Sequence, residues 1–326
     1  MIRVGYPASL DPGQLRVSEE IELVPLADGL EHEVEVDVWV TDPYPTRALR
    51  IWPHLRGVRL VLSLTAGTEW ITPIVGAHVT VCNARGAHNA STAEWVVSAV
   101  LATLKHFPLF LDVQRTGEWR RRREATAEYE RQTGDMRRLH PAVMVEELTG
   151  KGVLLVGYGA IGREIERMLE PFRVHLMRVA RHARTNPVVH AVSELDGLLS
   201  EAEVVILMLP LNETSRGMIG AAQLARMPQG ALLVNAARGP IVQTDALVEA
   251  LEAGRVRAAL DVTDPEPLPL DHPLWRCPNL LLTPHVAGSS PEFARRAMGV
   301  AAEELRRWVN GEPLRNAVQV AGGGAP

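Results

Sequence analysis

The chain has 326 residues, 46% of them hydrophobic and 22% charged, which suffices for two globular domains and excludes a mostly disordered chain. With 34 Lys and Arg against 39 Asp and Glu, its formal charge is -5, whereas nucleic-acid-binding domains are normally basic. The two cysteines, Cys82 and Cys277, lie far apart and support neither a disulfide framework nor a Cys-based zinc site, so no metal is expected.

The opening MIRVGYPASL lacks the charged-then-apolar pattern of a signal peptide. The longest clean apolar run, Val204–Leu209, has about six residues, against the roughly 18 that cross a bilayer. No membrane partner is expected, and the cytoplasm is the expected location. Short β-branched runs predict strands at Ile2–Tyr6, Val34–Val40, Arg59–Leu64 and Val79–Asn83. Helical patterning follows over Ala90–Phe107, ending before Pro108. Between Gly117 and Glu147 basic residues, including Arg120–Arg123, Arg137 and Arg138, interleave with acidic ones; this reads as a solvated helix or loop without assigned chemistry.

A second series of strands is predicted at Val153–Val156, Val174–Val179, Val204–Leu209, Leu232–Ala236, Ala258–Val262 and Leu280–Thr283. Several are apolar without alternation, as strands covered on both faces are. The helix Pro291–Asn310 stops at Asn310-Gly311, and the terminal AGGGAP reads as a frayed tail. Strands alternating with helices specify an α/β fold with parallel sheets.

Lys151–Glu164 reads KGVLLVGYGAIGRE, in which Gly157, Gly159 and Gly162 separate a buried strand from a helix, and the intervening Ala160 and Ile161 open that helix. The first glycine serves a tight turn and the second lets backbone approach a pyrophosphate. The third permits close helix–strand packing, while the helix N-terminus offers free N–H groups to phosphate. In this strand–turn–helix context the pattern predicts a dinucleotide site.

Three later strands each deliver one polar group: Arg238 in NAARGPIV, Glu266 in LDVTDPEPLP and His285 in LLTPHVAG. Taken singly, each has a plain reading as a turn, loop or helix-start residue. Together, at the face where such sheets bind ligands, they suit reduction of a ketone. Arg can grip a carboxylate and polarise the adjacent carbonyl, His can protonate its oxygen, and Glu can fix the imidazole tautomer and favour its protonated form.

At the end of the second strand of this series, Ala180 stands 18 positions after Gly162, where NAD-binding folds carry a carboxylate for the ribose 2′-hydroxyl. Arg181, His182 and Arg184 follow instead, and guanidinium groups pair well with a 2′-phosphate. NADP(H) is therefore the expected cofactor ahead of NAD(H).

The segments VGYGAIGREI, LPLNETSRGMIG, NAARGPIV, ALDVTDPEPLPLDHPLW and NLLLTPHVAG, with LTAGTEW and the AEWVVSAVLATLKHFP helix upstream, resemble the D-isomer-specific 2-hydroxyacid dehydrogenase family in motif and order. The resemblance implies two doubly wound parallel-sheet domains: a Rossmann dinucleotide-binding domain, residues 96–287, inserted into a flavodoxin-like substrate domain, residues 1–95 and 288–326. It implies a homodimer acting on a small 2-oxo or 2-hydroxy acid of the glyoxylate or hydroxypyruvate type. Arg238 would bind the oxo acid, His285 act as acid/base and Glu266 as its partner. Ala66 and Gly67 would hold the substrate carboxylate, while Pro210, Thr214 and Asp261 would line the cofactor pocket. Gln243 departs from the family pattern, where an acidic residue is common. Glu266 argues against the formate dehydrogenase subgroup, which carries Gln beside its His. The alternative is a dinucleotide-sensing interaction protein resembling the C-terminal-binding corepressors, which share the fold and the trio.

Overall fold

The computed structural model describes residues 1–133 and 145–318. The chain separates into two compact units, Met1–Asn89 with the segment from Ser289 onward, and Ala90–Gly288. The first is built on strands β1 (Ile2–Pro7), β2 (Ile21–Leu26), β3 (Val38–Val40), β4 (Leu60–Leu62) and β5 (Thr80–Cys82), parallel and in the order β2-β1-β3-β4-β5. This is a flavodoxin-like arrangement. Ala317–Val318 adds an antiparallel edge beside β5.

Side chains alternate between two cores, as the two-residue period of a strand requires. Val38, Val40, Leu60 and Leu62 pack with Ala297, Met298, Ala301 and Leu305 of the helix Phe293–Val309. Trp39, Val61 and Val81 pack on the other face with Ala48, Ile51 and Ile71.

Two departures from the sequence reading have physical reasons. Pro25 interrupts the apolar run of β2 and hides it from the sequence pattern; β2 lies at the sheet edge, where a missing N–H is tolerated. The expected strand Val34–Val40 is two pieces, Val34–Glu35 and Val38–Val40. Between them, Asp37 turns its carboxylate to the Arg3 amide (2.9 Å) and to Arg59 (2.9 Å).

The second unit holds β6 (Gly152–Val156), β7 (His175–Ala180), β8 (Val188–Ala191), β9 (Val204–Leu207), β10 (Ala231–Asn235), β11 (Val256–Leu260) and β12 (Leu280–Leu282). Their order, β8-β7-β6-β9-β10-β11-β12, is the Rossmann order extended by one parallel strand. Arg184–Thr185 closes the far edge as an antiparallel turn onto β8. One face of the sheet buries Leu154, Val156, Val205, Leu207, Leu233 and Leu260. The other buries Val153, Leu155, Ile206, Leu232 and Val234 under the helices Asn89–Leu104 and Ala160–Leu169. Burial on both faces accounts for the unbroken apolar runs.

The first of these helices stops at Leu104, short of the expected Phe107, because His106 takes φ 52° and Phe107–Thr116 starts a new helix. Of the charged segment, Trp119–Arg123 and Glu124–Thr133 are helical; residues 134–144, with Arg137 and Arg138, lie outside the described residues, as does the AGGGAP tail. Among the described residues no single helix is long and apolar enough to cross a membrane, and no cluster of three His, Cys, Asp or Glu could hold a metal. Cys82 and Cys277 are unbridged; burial first and Glu304 second push the Cys82 thiol up to about 12.

At the amino-terminal edge of the second sheet, Glu146 is buried between Arg257 (2.6 Å) and Lys151 (3.0 Å). Arg257 Nε also donates to the Gly230 carbonyl (2.8 Å), and Lys151 bonds Glu203 (2.8 Å). Burial alone would raise the Glu146 pKa; Arg257 and then Lys151 outweigh it, leaving the carboxyl below its ordinary 4.5. The unfolded chain therefore takes up that proton first on acidification, so the Glu146 contribution is complete above about pH 4.5 and lost progressively below it. Arg257→Met removes one of the two cations on this buried carboxylate, leaving Lys151, and is expected to remove about 1–3 kcal/mol of stability at pH 7 by urea unfolding. A loss under about 1 kcal/mol would show that the pair is not the anchor of this edge.

Candidate active site

Register places the polar residues. Val179, Val156, Leu207, Asn235, Leu260 and Leu282 are paired across neighbouring strands in one row of the second sheet. The strands run parallel, so each chain leaves that row at the same, carboxyl edge. Gly157 follows directly on Val156, Arg181 lies two residues past Val179, and Pro210 three past Leu207. Arg238 lies three past Asn235, Asp261 one past Leu260 and His285 three past Leu282.

The glycine turn has the close contacts its sequence calls for. Gly157 takes φ 105°, and a Cβ there would come within 2.5 Å of the Met208 carbonyl carbon. At Gly162 a Cβ would meet the Gly157 oxygen at 2.7 Å, so the helix Ala160–Leu169 packs directly on the turn. Gly159, by contrast, faces open space. Ala160 and Ile161 are the first helical residues, whose N–H groups have no intrahelical acceptor. An open backbone at a helix N-terminus fits a pyrophosphate.

At the end of β7, Arg181, His182 and Arg184 are exposed. Among the described residues neither Arg181 nor Arg184 forms an ion pair, whereas Arg178, within β7, is bound to Glu166. Arg184 donates to the carbonyl of Tyr158 (3.1 Å). Beyond β9, the Asn212 side chain accepts from the amides of Thr214 (3.0 Å) and Ser215 (3.1 Å) and from the Thr214 hydroxyl (2.7 Å). Ser215 in turn donates to the Pro210 carbonyl (2.8 Å). Pro210 and Thr214 thus belong to one hydrogen-bonded turn.

Arg238 is held by its backbone. Asn235, buried, donates from Nδ2 to the Arg238 carbonyl (3.0 Å) and accepts from the Ala237 amide (3.0 Å). A Cβ at Gly239 would lie 1.8 Å from the Thr263 oxygen, so only glycine lets this loop press against the segment leading to Glu266. The Arg238 Nη1 donates to the Ala237 carbonyl (2.7 Å).

His285 Nδ1 and Glu266 Oε1 are 2.5 Å apart, with side chains 51% and 41% exposed. The pairing commits Nδ1, and among the described residues Nε2 has no hydrogen-bond partner. His285 sits at φ 54°, a left-handed conformation that costs a residue with a Cβ roughly 1–2 kcal/mol. Asp261 holds it there. The His285 amide donates to the Asp261 carbonyl (2.7 Å). The buried carboxylate accepts from Thr283 Oγ1 (2.6 Å), Val286 N (2.8 Å) and Ala287 N (2.8 Å).

In the first unit, Ala66 and Gly67 lie beyond β4. The Ala66 carbonyl accepts from Asn83 (3.0 Å) and that of Gly67 from Thr65 Oγ1 (2.7 Å). Among the described residues the amides of Ala66 and Gly67 have no acceptor.

Sequence reasoning missed Asn235, Asn212, Thr283 and the bracing role of Asp261. Asn235 and Asn212 carried a local signal, a short polar side chain that satisfies backbone two or three residues on. Thr283 did not, since its partner Asp261 is 22 residues away.

Residues 97–287 match the model of the D-isomer specific 2-hydroxyacid dehydrogenase NAD binding domain. A glyoxylate reductase of Aeropyrum pernix is 34% identical over 273 residues, 80% of this chain and 76% of that protein. A D-3-phosphoglycerate dehydrogenase of Methanocaldococcus jannaschii is 30% identical across 98% of this chain and 60% of its own length. The chain spans about half the length of several curated relatives it matches, between 43% and 60% for three of them. The crystal structure of a D-isomer specific 2-hydroxyacid dehydrogenase from Xanthobacter autotrophicus Py2, in complex with NADPH and MES, aligns with a TM-score of 0.74 at 27% identity, covering 97% of each chain.

Asp261→Asn replaces an acceptor oxygen by an NH2 group facing backbone donors. It is expected to cost about 1–3 kcal/mol and to speed hydrogen exchange at Val286 and Ala287 above all other sites. Uniform acceleration across the unit, or none, would remove Asp261 as the brace of this loop.

Proposed function

The chain belongs to the D-isomer specific 2-hydroxyacid dehydrogenase family, and from that membership we propose that it reduces a small 2-oxo acid of the glyoxylate or hydroxypyruvate type, using NADPH in preference to NADH. The observation that carries this reading is the Glu266–His285 pair: Nδ1 is committed, Nε2 is uncommitted, and the pair leaves the same sheet edge as Arg238 and the glycine turn. The nicotinamide, when bound, supplies the hydride that reduces the carbonyl carbon.

The remaining work falls to side chains and backbone. Arg238 pairs with the substrate carboxylate and draws electron density from the adjacent carbonyl. Within the first unit, the amides of Ala66 and Gly67, which have no acceptor among the described residues, are available as donors to an anion. His285 Nε2–H gives its proton to the carbonyl oxygen, leaving the ring in the tautomer whose Nδ1–H is held by Glu266. In the oxidative direction, His285 takes the proton back through Nε2.

Gly157, Gly159, Ala160, Ile161 and Gly162 would hold the pyrophosphate, with Pro210, Thr214 and Asp261 near the nicotinamide. The preference for NADPH is supported by Ala180 in place of an acidic residue and by Arg181 and Arg184, which lack acidic partners among the described residues. The Xanthobacter relative was crystallised with NADPH. The proposal includes a homodimer, supported by the exposed Phe107, Leu111 and Trp119 of the second unit.

His285→Ala should lower kcat roughly 100- to 10,000-fold, the usual worth of a positioned proton donor. Glu266→Ala should lower kcat about tenfold or more, because Nδ1 of His285 loses the acceptor that fixes the orientation of the ring. An unchanged kcat would exclude Glu266 from proton transfer. For the cofactor, initial rates should favour NADPH at matched low concentration, and Arg181→Ala should weaken NADPH about tenfold or more with little effect on NADH. Equal losses for both cofactors would defeat the assignment. The substrate is tested on a panel of glyoxylate, hydroxypyruvate, pyruvate and bulkier 2-oxo acids; no turnover across it would overturn the proposed activity.

A further inference from the structure

Tyr158 stands between the first two glycines of the turn, where its side chain lies outside the motif's usual requirements. It is 7% exposed, and two guanidinium groups lie against its ring, Arg178 at 5.6 Å and Arg184 at 5.5 Å from the centroid. Its hydroxyl donates to Glu166, whose second oxygen accepts from Arg178. Burial and Glu166 hold the phenol proton in place, raising the Tyr158 pKa above its ordinary value. The two arginines thus have different fates. Arg178 is neutralised by Glu166, whereas Arg184 uses one nitrogen on the Tyr158 carbonyl (3.1 Å), holds its guanidinium carbon over the ring at 5.5 Å from the centroid and has no acidic partner among the described residues.

An exposed arginine ordinarily surrenders about 2 kcal/mol of rotamer freedom to bind an anion. Two attachments to a single residue, one to its ring and one to its backbone, remove much of that freedom beforehand. We propose that Tyr158 is a specificity-determining positioning residue, which holds Arg184 against the glycine turn so that its remaining N–H groups are set to pair with a phosphate on the 2′ carbon of an adenosine ribose. The inference rests on the NADPH reading above and adds the residue that makes the arginine effective.

Calorimetric titration of the full chain with 2′,5′-ADP and with 5′-AMP reads the 2′-phosphate contribution without turnover. Tyr158→Leu should weaken 2′,5′-ADP about tenfold and 5′-AMP less than threefold, the scale of a lost cation–π contact together with lost preorganisation. In an Arg184→Ala background the same substitution should cost nothing further in the ratio of the two affinities. Arg184→Lys leaves Tyr158 intact but cannot stack or fork; it should lose nearly as much selectivity as Arg184→Ala, and it serves if Tyr158→Leu does not fold. If Arg184→Ala is selective but Tyr158→Leu weakens both ligands alike or Arg184→Lys behaves as wild type, the positioning role fails and the NADPH reading stands. If neither Arg181→Ala nor Arg184→Ala changes the ratio, the NADPH reading fails and this inference with it.

Discussion

A parallel sheet sends every strand out at one edge, and the chemistry proposed for the second unit depends on that constraint. The paired row from Val179 to Leu282 fixes where each strand ends, and the polar residues follow within one to three positions. Register is in turn held by burial on both faces. A slip of one residue in β10 would carry Leu233 and Val234 to opposite cores and move Arg238 along the strand by about 3.3 Å. The precision of the edge is therefore a property of the hydrophobic pattern far from it.

Strand ends alone do not aim side chains. Two buried polar residues do so here, each serving the loop that leaves its own strand or the neighbouring one. Asn235 closes on the backbone of Ala237 and Arg238, and Asp261 closes on that of Val286 and Ala287. Burying a carboxylate is costly unless its oxygens are satisfied, and Asp261 accepts three hydrogen bonds. The left-handed backbone of His285 persists because its neighbours on both sides are tied to that one group. At the opposite edge Glu146 plays the corresponding part, joining Arg257 of β11 to Lys151 at the entrance to β6. One edge is locked by an ion pair. The other is shaped by hydrogen bonds that leave the imidazole Nε2 uncommitted.

The sequence made the second sheet readable because its strands are apolar on both faces and end in distinctive polar segments. Arg238, Glu266 and His285 were legible for the same reason: each follows a strand whose end could be counted. Legibility failed where tertiary context outweighed local preference. Pro25 concealed an edge strand, Asp37 split an expected one, and His106 broke a helix that composition would have continued to Phe107. The bracing roles of Asp261, Thr283 and Tyr158 were invisible because their partners lie 22 to 26 residues away along the chain.

Cofactor choice shows most clearly why counting residues differs from reading a site. The segment from Arg178 to Arg184 contains three arginines, in a chain whose net charge is -5. Composition would assign it little affinity for an anion, whereas a count of arginines would assign it too much. Pairing decides between them. Arg178 is consumed by Glu166, although it lies at nearly the same distance from the Tyr158 ring as Arg184. The positive potential that remains belongs to Arg181 and Arg184, beside a turn whose Gly159 faces open space. A local field of that kind acts over about 8 Å at physiological salt, so a net charge of -5 summed over the whole chain does not set it. Glu166 therefore serves the site by what it takes away: in pairing with Arg178 and accepting from the Tyr158 hydroxyl, it leaves the ring as a platform and Arg184 as the cation upon it.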